Sequence, residues 1–158
     1  MLSFVIDETA DRMPSDAGDS NVLFELWQLS RAANALLAGP LGAAGMSGDE
    51  YGVYSVLAAA EDGMTPTALA RSMSAPPTTV SSYIRRMESH GHAARRPDPM
   101  DGRGSLVRLT AAGRRAHRRA TDVYGPILAE VQRQLDADEP AVRAALVALR
   151  EAIDAVGG

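Results

Sequence analysis

Apolar residues recur at helical spacing along most of this chain, broken by turns that carry Gly, Pro and capping residues. Val22, Leu23, Leu26, Leu29, Ala33, Leu36 and Leu37 share one helical face, with Asn21 placed to cap the start and Gly39-Pro40 expected to stop the helix. Ser47 and Glu50, three apart, form a capping-box pattern for a second helix. That helix carries Tyr51, Val53, Tyr54, Val56 and Leu57 and is expected to end near Glu61-Asp62-Gly63. A short third helix covers 65–73, with Thr65 or Thr67 as its cap and Pro66 near its first turn.

The fourth helix is the most informative. Proline lacks an N–H and is tolerated only at a helix start, so Pro77 is expected in or just before its first turn. Val80, Ile84 and Met87 then point inward at spacings of four and three, and Thr78, Thr79, Ser81, Ser82 and Arg85 occupy the outer face. Gly91 closes this helix. Ala93-Ala94 and Leu106-Val107-Arg108-Leu109 are expected to pair as a hairpin around a basic, Gly/Pro-rich tip. Thr110 caps a long helix that Gly125-Pro126 should kink or interrupt, and Asp138-Glu139-Pro140 opens a final helix with Val142, Leu146, Leu149 and Ile153 on one face.

Charge changes the picture once it is counted by segment. The chain as a whole is acidic at −4. Residues 85–119 hold ten arginines and three acids, a local +7, and the remainder holds six arginines and seventeen acids, −11. One basic face on an otherwise acidic body suits docking on phosphate. All 16 basic residues are Arg, which together with the Ala and Gly richness reflects genomic composition rather than a designed site. The absence of cysteine excludes a disulfide framework, a thiol sensor and Cys-ligated zinc. With no long apolar segment and no leader pattern, the expectation is a soluble, cytoplasmic protein without membrane contact.

A helix with small hydroxyl residues on its leading turns, beside an arginine-bearing loop, suits groove reading of duplex DNA. Its N-terminus would enter the major groove, where Thr and Ser approach base edges or phosphate oxygens and the helix dipole favours phosphate. Arg85 or Arg86 can reach guanine or backbone. Thr65, Thr67 and Tyr83 complete the contact set on the two helices, and Arg95 and Arg96 flank the loop where phosphate contacts are expected. Arg103, at the tip, is the candidate for the minor groove.

This order of helices and hairpin resembles the MarR family of winged helix-turn-helix regulators. The residues that carry the resemblance are Thr79-Val80-Ser81, Arg86-Met87-Glu88, Gly91, Arg95, Asp98-Pro99, Asp101-Gly102-Arg103 and Leu109-Thr110-Ala111-Ala112-Gly113. The resemblance implies a mainly α (α+β) winged-helix fold, with Asp101 orienting Arg103. It also implies a homodimer held by the terminal helices on a near-palindromic operator. The corresponding division is an acidic arm over 1–20, a dimerisation helix and connection over 21–46, a DNA-binding lobe over 47–113 and dimerisation helices over 114–158. Ser82 stands where the family often carries a basic residue, which shifts base reading toward Arg85 and Tyr83, and Gly102 replaces a common second wing Arg, which softens the tip.

Family members commonly bind small aromatic or phenolic acids between the dimer helices and the DNA-binding lobe. Trp27, Arg31, Tyr51, Tyr54, His117 and Tyr124 are the aromatic and polar residues on elements that could line such a crevice, Arg31 meeting a carboxylate and the rings stacking on a ring. His90, His92 and His117 lack the helical spacing of a metal site, and the motif-bearing region holds no nucleophile–base or paired-carboxylate arrangement, so neither a metal, a cofactor nor an enzyme is expected. The alternative is a winged helix that binds an acidic protein partner through the same arginines.

Overall fold

The computed structural model of this chain describes residues 21–99, 104–135 and 137–157. The element order is α1 (Val22–Ala43), α2 (Gly48–Ala59), α3 (Pro66–Ser72), α4 (Pro77–Ser89), β1 (Ala93–Pro97), β2 (Ser105–Leu109), α5 (Ala111–Gln134) and α6 (Glu139–Gly157). The arm over 1–20, and Met100, Asp101, Gly102 and Arg103 of the hairpin, lie outside the described residues. None of the described helices is long and apolar enough to cross a membrane.

The chain divides into two compact units, with the boundary between Leu36 and Leu37 inside α1. In the N-terminal unit Asn21 caps α1, its Oδ1 accepting the N–H groups of Leu23 and Phe24. Gly39-Pro40 does not stop the helix, contrary to the sequence expectation. Proline's fixed φ is itself helical, so the helix continues past it despite the missing N–H bond and the crowding of the preceding turn. The helix runs three residues further and plants Leu41, fully buried, in the core of the second unit. The turn at Gly45 ends it, with the Met46 N–H on the Leu41 carbonyl.

In the second unit both bonds of the Ser47/Glu50 capping box form at the start of α2. This helix ends at Ala59, slightly before the acidic turn expected to close it. Thr65, rather than Thr67, caps α3, and Pro66 occupies its first turn. Ser74, between α3 and α4, holds a left-handed φ of +45°, strained for a residue with a Cβ. Val80, Ile84 and Met87 of α4 are buried as expected, against Leu69 and Ala70 of α3 and Val53, Tyr54 and Leu57 of α2. Burying a side chain such as Ile84 contributes roughly 1.5–3 kcal/mol, so this one stripe fixes which face of α4 remains outside.

The hairpin forms with Ala93 opposite Leu109 and Pro97 opposite Ser105. A single bridge from Met64 to Val107 ties it to the turn before α3. At its root, Gly91 adopts φ +68° and lets the chain leave α4 for β1. The Thr110 N–H then donates to the His92 carbonyl, and the Thr110 hydroxyl to the Gly91 carbonyl. Thr110 also caps α5, accepting the Gly113 N–H. α5 is not interrupted at Gly125-Pro126: it continues through Pro126 to Gln134, for the reason that applies at Pro40. α6 has no buried residue, and Leu146, Val147, Ile153 and Val156 are exposed along it.

Gly113 packs so tightly on this root that an added Cβ would stand 2.0 Å from the His92 carbonyl oxygen. Gly113→Ala is therefore expected to destabilise the fold by at least roughly 1–3 kcal/mol, the cost of overpacking a backbone contact. Urea unfolding of the variant measures this, and an unchanged midpoint would contradict it.

Candidate nucleic-acid interface

The outer face of α4 divides into free and engaged side chains. Thr78, Thr79, Ser82 and Arg85 are exposed, and Ser81 is half-buried. Arg85 has no ion-pair partner among the described residues. The N-terminus of α4 has no side-chain cap, because Pro76 occupies the capping position. A helix start with exposed hydroxyls and uncapped backbone is suited to an oxyanion.

The other candidates near α4 are tied to the protein itself. Tyr83 is half-buried and its hydroxyl donates to Asp49 Oδ2 at 3.1 Å. Burial, then this acidic partner, raises its pKa above the ordinary phenol value. Arg86 Nε lies 3.0 Å from Oε1 of Glu50, whose other oxygen accepts the Ser47 N–H. Asp49 and Glu50 are adjacent on the first turn of α2, and Tyr83 and Arg86 are three apart on α4, so two polar ties run between the same two helices. Sequence reasoning read Glu50 only as a local cap and did not single out Asp49.

The wing arginines are also anchored. Arg95 Nε donates to Glu88 Oε1 at 2.8 Å, joining the first wing strand to the end of α4. Arg96 Nη2 donates to the Asp62 carbonyl at 2.7 Å, in the turn between α2 and α3. Both side chains remain partly exposed, although Arg96 Nε is buried. Thr65 spends its hydroxyl on capping α3, whereas Thr67 is exposed. Asp101 and Arg103 lie outside the described residues.

The six residues proposed for a ligand crevice fall into separate groups. Tyr51 of α2 stacks on His117 at 5.4 Å and lies 4.9 Å from the Tyr124 ring, both on α5. The Ser55 hydroxyl donates to the Tyr51 carbonyl, so it accepts from His117 Nε2 at 3.0 Å. Three of the six thus form one self-packed cluster. Tyr54 is instead a core residue, with its hydroxyl 2.7 Å from His92 Nδ1 at the wing root, a contact no sequence spacing announced. Trp27 and Arg31 belong to the N-terminal unit, where the Arg31 guanidinium carbon lies 5.2 Å from the Trp27 ring centre.

Residues 44–104 match the family model described as MarR family. No curated protein matches the chain by sequence. Among solved structures, the transcriptional regulator MOSR of M. tuberculosis in complex with DNA is similar at TM-score 0.75 and 22% identity, over 87% of this chain and 98% of that one. PcaV of Streptomyces coelicolor, with its natural ligand, is similar at 0.69 and 26%, over 87% and 94%. CouR of Rhodococcus jostii RHA1, bound to p-coumaroyl-CoA, is similar at 0.72 and 21%, over 88% and 95%. These likenesses establish the winged-helix fold expected from the sequence.

Burial lowers the pKa of His92, with His90 and Arg119 adding to the effect, and burial followed by Arg118 lowers that of His117. Both folded-state values lie below the unfolded value of about 6.5. The unfolded chain then binds more protons, so this contribution to stability is complete above about pH 6.5 and is lost as pH falls toward the folded values. Wild-type protein is expected to lose unfolding free energy between about pH 7 and pH 5 more steeply than a His92→Gln/His117→Gln variant. Parallel slopes in urea titrations at the two pH values would refute this.

Proposed function

We propose that this chain, a MarR-family protein by its matched lobe and its fold, is a sequence-specific DNA-binding transcriptional regulator. It acts as a homodimer on a near-palindromic operator, and most simply represses. The observation that carries this reading is the division of α4: Val80, Ile84 and Met87 lock one face into the core, while Thr78, Thr79, Ser82 and Arg85 are left outward beside an uncapped helix start. α4 enters the major groove N-terminus first, Arg85 reads a base edge, and the anchored Arg95 and Arg96 meet phosphates. Arg103, oriented by Asp101, takes the minor groove. The similarity to a regulator solved in complex with DNA supports this reading.

The homodimer is supported by exposed apolar residues late in α5 (Leu128 and Val131) and along α6, which need a partner surface. A small aromatic effector would release the operator by opening the Tyr51–His117–Tyr124 stack and taking a place among its rings. The ligand-bound PcaV and CouR structures support this part.

Selection of bound duplexes from a randomised library is expected to recover an inverted repeat with half-sites about one helical turn apart. Against the recovered duplex, Arg85→Ala should cost roughly 1–3 kcal/mol of affinity and relax preference at one base pair of each half-site. Recovery of sequence-independent binding alone would reject the reading. Truncation before Asp138 should yield a folded monomer by light scattering, and a stable dimer after truncation would move the interface elsewhere.

A further inference from the structure

We propose that Glu50 is a positioning residue for DNA binding, acting through Arg86, whose guanidinium it holds ready for a backbone phosphate. This rests on the DNA-binding reading above.

Glu50 is buried, 7% exposed, and is the one buried charged residue among those described. Its carboxylate is fixed at both oxygens. Oε2 accepts the Ser47 N–H at 2.9 Å, and Oε1 faces Arg86 Nε at 3.0 Å. A carboxylate kept out of water needs such partners. The closest approach to Glu50 is through Nε of Arg86. The two Nη groups have no hydrogen-bond partner among the described residues, and the side chain is 59% exposed. Glu50 thus removes conformational freedom from a long side chain whose outward donors stay available, and preorganised donors bind more tightly than free ones. The Tyr83–Asp49 bond, one turn back along α4, holds the same edge of the helix against the same turn of α2.

Position along the helix, together with the tie to Glu50, selects phosphate over base. Arg86 lies in the last turn of α4, nine residues after Pro77. At 1.5 Å per residue this is about 13 Å from the end that enters the groove. The major groove is about 12 Å wide, so a side chain at this height reaches the phosphates of its wall, and the tie to Glu50 draws Arg86 toward α2 and away from the base edges left to Arg85.

A double-mutant cycle on the duplex recovered by selection tests this. Glu50→Gln keeps an acceptor for the capping box while removing the charge. It should weaken binding roughly tenfold when Arg86 is present and less than about twofold in an Arg86→Gln background. Arg86→Gln itself should weaken binding evenly across operator variants and reduce the slope of log K against log salt by about 0.9. Arg86→Lys leaves Glu50 in place and retains the charge. It should still lose roughly tenfold, because an ammonium lacks the fork that pairs inward and donates outward. Equal effects of Glu50→Gln in both backgrounds, or undiminished binding by Arg86→Lys, would overturn the role of Glu50 and leave DNA binding intact. Failure of wild-type protein to prefer any duplex would overturn both.

Discussion

The carbonyl group of His92 is where α4, the wing and α5 meet. It takes the Thr110 N–H, and Gly113 packs against it so closely that no side chain fits between. Thr110 simultaneously caps α5 and donates to the Gly91 carbonyl. The end of α4, both wing strands and the start of α5 are therefore fixed at a single backbone junction. Displacing any one of them breaks bonds belonging to the other three. The Tyr54 hydroxyl reaches the His92 ring at the same place and attaches α2 to the junction. What α4 and the wing present to a partner is governed from this point rather than from the exposed surface.

Around that frame, polar side chains hold positions that apolar packing leaves undetermined. Val80, Ile84 and Met87 set the rotation of α4 about its axis. They do little to stop it from sliding, because one apolar contact is readily exchanged for another. Hydrogen bonds and ion pairs to single atoms supply that register: Tyr83 on Asp49, Arg86 on Glu50, Arg95 on Glu88 and Arg96 on the turn at Asp62. The exposed pairs contribute modestly to stability in water. Their value lies in geometry, since each orients a cation that would otherwise sample many rotamers.

Much of this could be read in the sequence, because local rules decide it. Asn21, Ser47, Thr65 and Thr110 cap where their side chains imply, and the spacing of Val80, Ile84 and Met87 gave the buried face of α4. The wing pairs through the expected Ala93-Ala94 and Leu106-Val107-Arg108-Leu109. Its first strand runs on through Arg95, Arg96 and Pro97, which were expected in the tip, because the ladder is backbone-made and tolerates these side chains. Proline misled at residue 40, and at residue 126 it does not interrupt the helix, since a helix of sufficient length on both sides tolerates the loss of one N–H bond. The ties from α2 were illegible for another reason. Glu50 fits the capping-box pattern completely, and nothing along the chain signals that its second oxygen meets a residue 36 positions later. The aromatic set mixed three environments, because helical spacing identifies a face without saying which element covers it.

Pro126 has a mechanical consequence. Upstream of it, α5 contributes Gly113, Ala116 and Ala120 to the buried interior, and downstream Leu128 and Val131 are exposed. The missing amide leaves the Asp122 carbonyl without its helical donor, and the ring crowds the preceding turn. The rod is thus weakest where its role changes from wall to strut. The two stretches differ in how tightly they are held, so local opening and amide exchange in the downstream half need not await melting of the upstream half. α5 is therefore least braced just beyond Tyr124, at the edge of the aromatic stack.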